Sequence, residues 1–167
     1  MLASIAWLAQ YVDISWSPKE LADRMTMSGT KVESLRSPGV TRGAVKAGRI
    51  VSAERHPESD ALWVCQVDIG DRRIQSVSGA PNTAAGLLVP VALPGAELPG
   101  IKGAIRAGKV RGVDSEAVLC SEAELGVSDD HSGLMVLSED LAPGDDLAEA
   151  LGLDDTVIEF EISPNRP

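Results

Sequence analysis

Residues 45–78 read VKAGRIVSAERHPESDALWVCQVDIGDRRIQSVS, and their pattern sets the class of fold. Three runs rich in β-branched residues, Val45–Ala53, Leu62–Ile69 and Arg73–Val77, are separated by turn-forming residues, as in strands rather than helices. Gly70-Asp71 predicts a hairpin turn between the second and third runs. His56-Pro57 predicts a turn, with Ser59 or Asp60 capping the next element. Farther along, Leu87–Ala92, Val118–Cys120 and Leu134–Leu137 add more runs, and Pro90 should hold its own at an edge or a bulge. Five or six short strands in about a hundred residues predict a small closed barrel or a sandwich.

Both ends of the chain read differently. Ile5, Leu8, Ala9 and Val12 follow helical spacing after a capping Ser4. A second helix is predicted from the capping box Ser17/Glu20, Pro18 at its first position and Gly29 at its end. Trp16 is placed to staple onto Leu21, and Leu21 and Met25 form the buried stripe. After Ser37-Pro38-Gly39 the period falls to two, which predicts a domain boundary. Past the strand region, Asp146 and Glu149 are set to cap a short helix ending at Gly152. A last strand comes next, with Ile158, Phe160 and Ile162 on one face and Glu159 and Glu161 on the other.

The chain has 167 residues, is 44% apolar and carries a net charge of −10. That is apolar enough for a core and too acidic for non-specific attraction to nucleic acid or anionic membranes by the chain as a whole. Aromatic residues make up 3%, which excludes a binder that stacks bases on many rings. No apolar run approaches the roughly 20 residues of a membrane span, and MLASIAWLAQYVD lacks the basic start of a signal peptide. Cys65 and Cys120 are too few for a disulfide framework, so a cytoplasmic protein with free thiols is expected. Charge is uneven: residues 1–39 balance four bases with four acids, 40–111 hold ten bases and six acids, and 112–167 hold Arg166 against fifteen acids. Leu98–Val113 contains no acid but does contain Lys102, Arg106, Lys109 and Arg111.

Catalytic patterns are missing. Gly95 and Gly100 have phosphate-loop spacing, but Ile101 precedes Lys102 and no Ser or Thr follows. His56, Cys65, Cys120 and His131 lack the paired spacing of a zinc site. No serine sits in a nucleophile elbow. Asn82, after Gly79-Ala80-Pro81, reads as a turn residue. Neither a catalytic nor a metal-ligating residue is assigned.

The strings His56-Pro57-Glu58-Ser59-Asp60-Ala61-Leu62, Cys65-Gln66-Val67-Asp68-Ile69-Gly70 and Gly79-Ala80-Pro81-Asn82 resemble the tRNA-binding oligonucleotide-fold module. Arg111-Gly112, Ser115, Leu119-Cys120-Ser121 and Glu124-Leu125-Gly126 continue the likeness. With Ser4, Trp7-Leu8 and Tyr11-Val12 before them, Leu21-Ala22, Thr26, Gly29 and Val32-Glu33 next, and Ile162-Ser163-Pro164-Asn165-Arg166 after, the order is similar to the N-terminus of bacterial phenylalanyl–tRNA synthetase beta subunits. The likeness covers essentially the whole chain. The chain departs from the family at Ser78, where Cys is usual, and at Ala117 and Val118, where Gly-Met is usual. The lost glycine bears on any close backbone approach near Ser115.

The resemblance implies an α+β, mainly β chain, with an oligonucleotide-binding (OB-fold) β-barrel over 40–151 inserted into a small split helical/mixed domain. Residues 1–39 and 152–167 would be the two halves of that domain, with Trp7 or Trp16 bridging to Ile158, Phe160 and Ile162. It further implies a fragment with an accessory role in joining phenylalanine to its tRNA. ATP and Mg2+ would serve the full enzyme, with no cofactor in this fragment, and the alpha subunit would be a partner in the heterotetramer. Neither DNA nor membrane is an expected partner. Weak tRNA binding would use Lys102, Arg106, Lys109 and Arg111 on a flexible loop or ribbon, with Asn82 and Ser115 completing the candidate set. Two alternatives are a free-standing tRNA-binding or chaperone-like module that dimerises, and a scaffold domain without RNA contact.

Overall fold

A computed structural model describes residues 1–37 and 39–161. Its elements run β1 (Leu2–Ser4), α1 (Ile5–Leu8), α2 (Pro18–Met27), β2 (Val32–Arg36), β3 (Val45–His56), β4 (Ser59–Asp68), β5 (Arg73–Ser78), β6 (Leu88–Ala92) and β7 (Gly108–Val110). They continue with β8 (Val113–Ser115), β9 (Val118–Leu119), α3 (Glu122–Leu125), α4 (Leu147–Ala150) and β10 (Val157–Phe160). The chain is mainly β, with antiparallel sheets and few helices. It divides into two compact units, Met1–Pro38 with Asp154–Pro167, and Gly39–Leu153. No helix among the described residues is long and apolar enough to cross a membrane.

In the first unit β10 lies between β1 and β2 and joins the two ends of the chain, with Ala3 opposite Ile158 and Ile158 opposite Leu35. The helix expected over Ile5–Val12 is a single turn ending at Leu8, and Leu2–Ser4 is strand. Pairing with β10 supplies backbone partners for residues 2–4, whereas none of the residues of α1 is buried. Ser4 accepts from Trp7 N at 2.9 Å as the cap and donates to Asp155. Residues 32–36 form the strand β2. The helix α2 forms as expected, with Ser17 and Glu20 bonding each other's backbone N–H and Gly29 at φ +96° beyond its end. Ala3, Leu21, Ile158 and Phe160 make the core, with Leu8, Met25 and Val32 around it. Neither tryptophan of the expected bridge belongs to this core among the described residues: Trp7 and Trp16 are half exposed, and Trp16 holds the Arg24 guanidinium 4.4 Å from its ring centre. Ile162, Ser163-Pro164-Asn165-Arg166 and Pro38 lie outside the described residues.

The second unit is built on a five-stranded sheet ordered β5-β4-β3-β6-β9. The long β3 pairs with β6 over Val45–Arg49 and with β4 from Arg49 to His56. At Gly48 it crosses a packed interior, where a Cβ would stand 2.4 Å from Val91 and 2.8 Å from Val67. Ile50, Cys65, Val67 and Ile74 fill one core cluster, and Val45, Leu88, Leu125 and Leu147 belong to another. The predicted hairpin is present: Gly70 takes φ +90° and Ile69 N donates to Arg72 O at 3.0 Å. The short helix α4 is capped by Asp146, with Glu149 in its first turn. Ser59 and Asp60 open β4 directly.

Pro90 sits inside the sheet, opposite Ala47. Its carbonyl accepts from Cys120 N at 2.9 Å, so its ring nitrogen faces the same neighbour. The Cys120 carbonyl, which a residue with an N–H would have used, instead accepts from Met135 N at 3.0 Å. The segment Leu134–Leu137 is therefore not the predicted strand. It contributes single bonds, including Leu137 N to Leu88 O at 2.8 Å, and buries Leu134 and Leu137. The strand ladders end at β5 and β9. The residues just before β9 nonetheless bond to β5: Glu116 N donates to Gln75 O at 2.8 Å and the buried Ser76 hydroxyl to Ala117 O at 2.8 Å.

Candidate nucleic-acid interface

The acid-free stretch begins as a closed loop. Gly95 N donates to Ile105 O and Ile105 N to Ala96 O, both at 2.8 Å, and Leu98 and Ile105 are buried. Gly100 lies so close to the Ala123–Glu124 backbone that a Cβ would stand 2.4 Å from Ala123 O. Leu98 and Ile105 face inward, and Lys102 and Arg106 are left exposed.

The stretch then forms the hairpin β7–β8, with Lys109 opposite Asp114 and Gly108 opposite Ser115. Arg111 and Gly112 form its tip at φ +47° and +83°, the two positive angles of a type I′ turn. The expected flexible ribbon is fastened on two sides. Buried His56 accepts from Glu58 N at Nδ1, 3.1 Å, which leaves Nε2–H to donate to Val110 O at 3.0 Å. Arg111 Nη1 donates to Glu58 O at 3.2 Å.

The charges are unequal in availability. Lys109 has Asp114 Oδ1 at 3.6 Å. Elsewhere in this unit Arg49 is held by Glu139 at 2.7 Å and Lys46 faces Asp71 at 3.7 Å. Among the described residues, no carboxylate pairs with Lys102, Arg106 or Arg111. Asn82 and Ser115 are spent internally. Asn82 donates to Leu134 O at 2.9 Å and accepts from Leu134 N at 2.8 Å. Ser115 Oγ accepts from Val77 N and donates to Ala117 O, both at 3.1 Å.

One pair escaped the reading of the sequence. Arg55 lies opposite Trp63 across β3 and β4, with its guanidinium 3.9 Å from the ring centre. The β-bulge after Arg55 sets this register, and no sequence spacing announces it. Nearby, Ser78–Pro81, Ser121, Glu124 and His131 help line a cleft of about 350 Å³. There Glu124 and Ser121 are occupied with capping α3.

Gly95–Lys102 leads into the closed loop and not into a helix N-terminus. Among the described residues, no three His, Cys, Asp or Glu side chains gather where they could hold a metal. Burial raises the Cys65 thiol to about 11 and the Cys120 thiol to about 12, so neither is a nucleophile near neutral pH.

A family model described as a putative tRNA-binding domain matches residues 45–146. The chain is similar to the phenylalanine–tRNA ligase beta subunit of Desulfotalea psychrophila, 46% identical over 100% of this chain and 20% of the relative. The counterpart in Symbiobacterium thermophilum is 48% identical over 99% of this chain and 19% of the relative. That of Burkholderia pseudomallei is 47% identical over 96% and 21%. The chain thus spans about a fifth of the length of the curated relatives it matches. Among solved structures, a MetRS-related protein from Pyrococcus horikoshii aligns with TM-score 0.47 at 19% identity, over 61% of this chain and 86% of that one.

Proposed function

This chain belongs to the putative tRNA-binding domain family, and we propose that it is the accessory tRNA-binding segment of a cytoplasmic phenylalanine–tRNA ligase beta subunit. The observation that carries this reading is the extent of similarity. The domain match runs from residue 45 to 146, whereas identity to the beta subunits extends over essentially the whole chain, including both pieces of the first unit. A free-standing module would need only the former.

In this proposal residues 40–151 form an OB-type barrel inserted into a split domain of 1–39 and 152–167. The bonds from Glu116 and Ala117 to β5 support closure of the sheet. Lys102, Arg106 and Arg111 meet tRNA phosphates, with Lys109 weakened by Asp114 and with Asn82 and Ser115 shaping the surface from within. ATP, Mg2+ and the alpha subunit belong to the whole enzyme, which would join phenylalanine to its tRNA. In this proposal no residue of the segment takes part in that chemistry. The scaffold reading keeps one supporting observation, the inward commitment of Asn82 and Ser115.

The test is a titration of labelled tRNA with the purified chain. Binding should be weak and indifferent to sequence, poorer than micromolar at physiological salt, in line with about 10⁻⁴–10⁻⁶ M for contacts made only to phosphates. In parallel, the chain alone should not exchange pyrophosphate into ATP in the presence of phenylalanine. Absence of tRNA binding at low salt would leave only the scaffold role.

A further inference from the structure

We propose that the Arg55–Trp63 stack is a base-binding platform, on which an unpaired nucleotide of the bound RNA lays its base against the Arg55 guanidinium; this rests on the tRNA-binding reading. Trp63 is the one aromatic residue in the second unit. It packs partly against the core cluster of Ile50, Cys65 and Val67, and Arg55 lies over its ring at 3.9 Å. Arg55 also donates to Asp60 O, which ties the guanidinium at a second point. Its own residue is exposed, and among the described residues no carboxylate pairs with it. A guanidinium held over an indole and paired with no carboxylate among the described residues offers a planar cation on which a base can stack.

The neighbouring contacts explain why the platform would serve a nucleotide rather than an isolated ring. Arg111 hangs from the Glu58 carbonyl and Arg55 from the Asp60 carbonyl, two residues apart, or at most about 7 Å of extended chain. His56, the residue after Arg55, fixes the hairpin that carries Arg111. One turn therefore places a stacking plane beside a guanidinium able to grip a phosphate with two bonds. Glu58 in the same turn limits attraction at long range, so the contact favours a strand whose base can reach the plane.

The experiment compares a hexanucleotide of adenosines with an abasic ribose-phosphate oligomer of the same length, titrated into the whole chain. The wild type should bind the adenosine oligomer at least about fivefold tighter, the low end of what one stacked base contributes. Arg55→Lys keeps the charge and removes the plane, so the ratio should fall to near one while affinity for the abasic oligomer changes less than twofold. Arg55→Gln, planar and neutral, should retain part of the ratio. The Trp63 indole N–H resonance should shift with the adenosine oligomer in the wild type and not in Arg55→Lys. A wild-type ratio of one, or an unchanged ratio in Arg55→Lys, would overturn the platform even if tRNA still binds. Failure of tRNA and both oligomers to bind would overturn the tRNA-binding reading, and the platform with it.

Discussion

Asn82 illustrates how a polar residue in a binding-domain motif can be committed to the fold. Its amide takes both the N–H and the C=O of Leu134 and so does for that residue what a neighbouring strand would do, while Met135 and Leu137 bond to Cys120 and Leu88. Asn82→Ala should therefore cost about 1–3 kcal/mol, because two backbone groups lose their partner at once. A urea midpoint lowered at unchanged slope would report that, whereas a residue serving only RNA would leave the midpoint where it was. The sequence placed Asn82 in a turn, which is local, but Leu134 is 52 positions away and no spacing connects them. The cysteines are simpler. With their thiols raised to about 11 and about 12 by burial, neither should react with a disulfide reagent at pH 8 until the chain unfolds. Rapid labelling of Cys65 in the folded chain would contradict its burial.

Among the elements, those announced by neighbouring residues were legible. The Ser17/Glu20 capping box and the Gly70 turn carry their own signals, and both form where the sequence places them. The first strand carries none, because Leu2–Ser4 become a strand only through β10, about 150 residues later, and the helical spacing read from the sequence begins after them, at Ile5. The Arg55–Trp63 pair was hidden in the same way behind the bulge in β3. In β3 itself, Gly48→Ala would push a methyl into Val91 and Val67, and a cost of about 1–3 kcal/mol is expected from overpacking. A thermal midpoint equal to the wild type's would show that the strands move apart freely. Between β10 and β2, the Ser34 hydroxyl and then the Arg36 guanidinium hold the Glu159 carboxyl below the usual range. A carboxylate with a lowered pKa stabilises the fold above its ordinary pKa, and that contribution is lost as pH falls through the lowered value. Protection of the amides of β1, β10 and β2, taken relative to the intrinsic exchange rate at each pH, should therefore fall in acid in the wild type, and less steeply in Glu159→Gln.

For the whole molecule, the charge pattern matters more than the net charge. Fifteen acids crowd residues 112–167, yet Lys102, Arg106 and Arg111 stand exposed and unpaired by carboxylates among the described residues. The acid-free run was legible in composition. Which of its cations are free was not, since the Lys109–Asp114 pair exists only once β7 and β8 are in register. If these three cations carry the tRNA contact, with Lys109 as a fourth where it leaves Asp114, about three to four phosphates are neutralised and the slope of log affinity against log salt should be roughly −3 to −4. Arg106 and Arg111 should matter most, because a guanidinium grips phosphate with two bonds. The decisive measurement is the affinity for labelled tRNA at low salt of the wild type and of Arg106→Glu/Arg111→Glu. The expected result is a loss of about tenfold or more in the variant, with a shallower salt slope. Equal affinity and equal slope for the two proteins would contradict the assignment of this surface to tRNA.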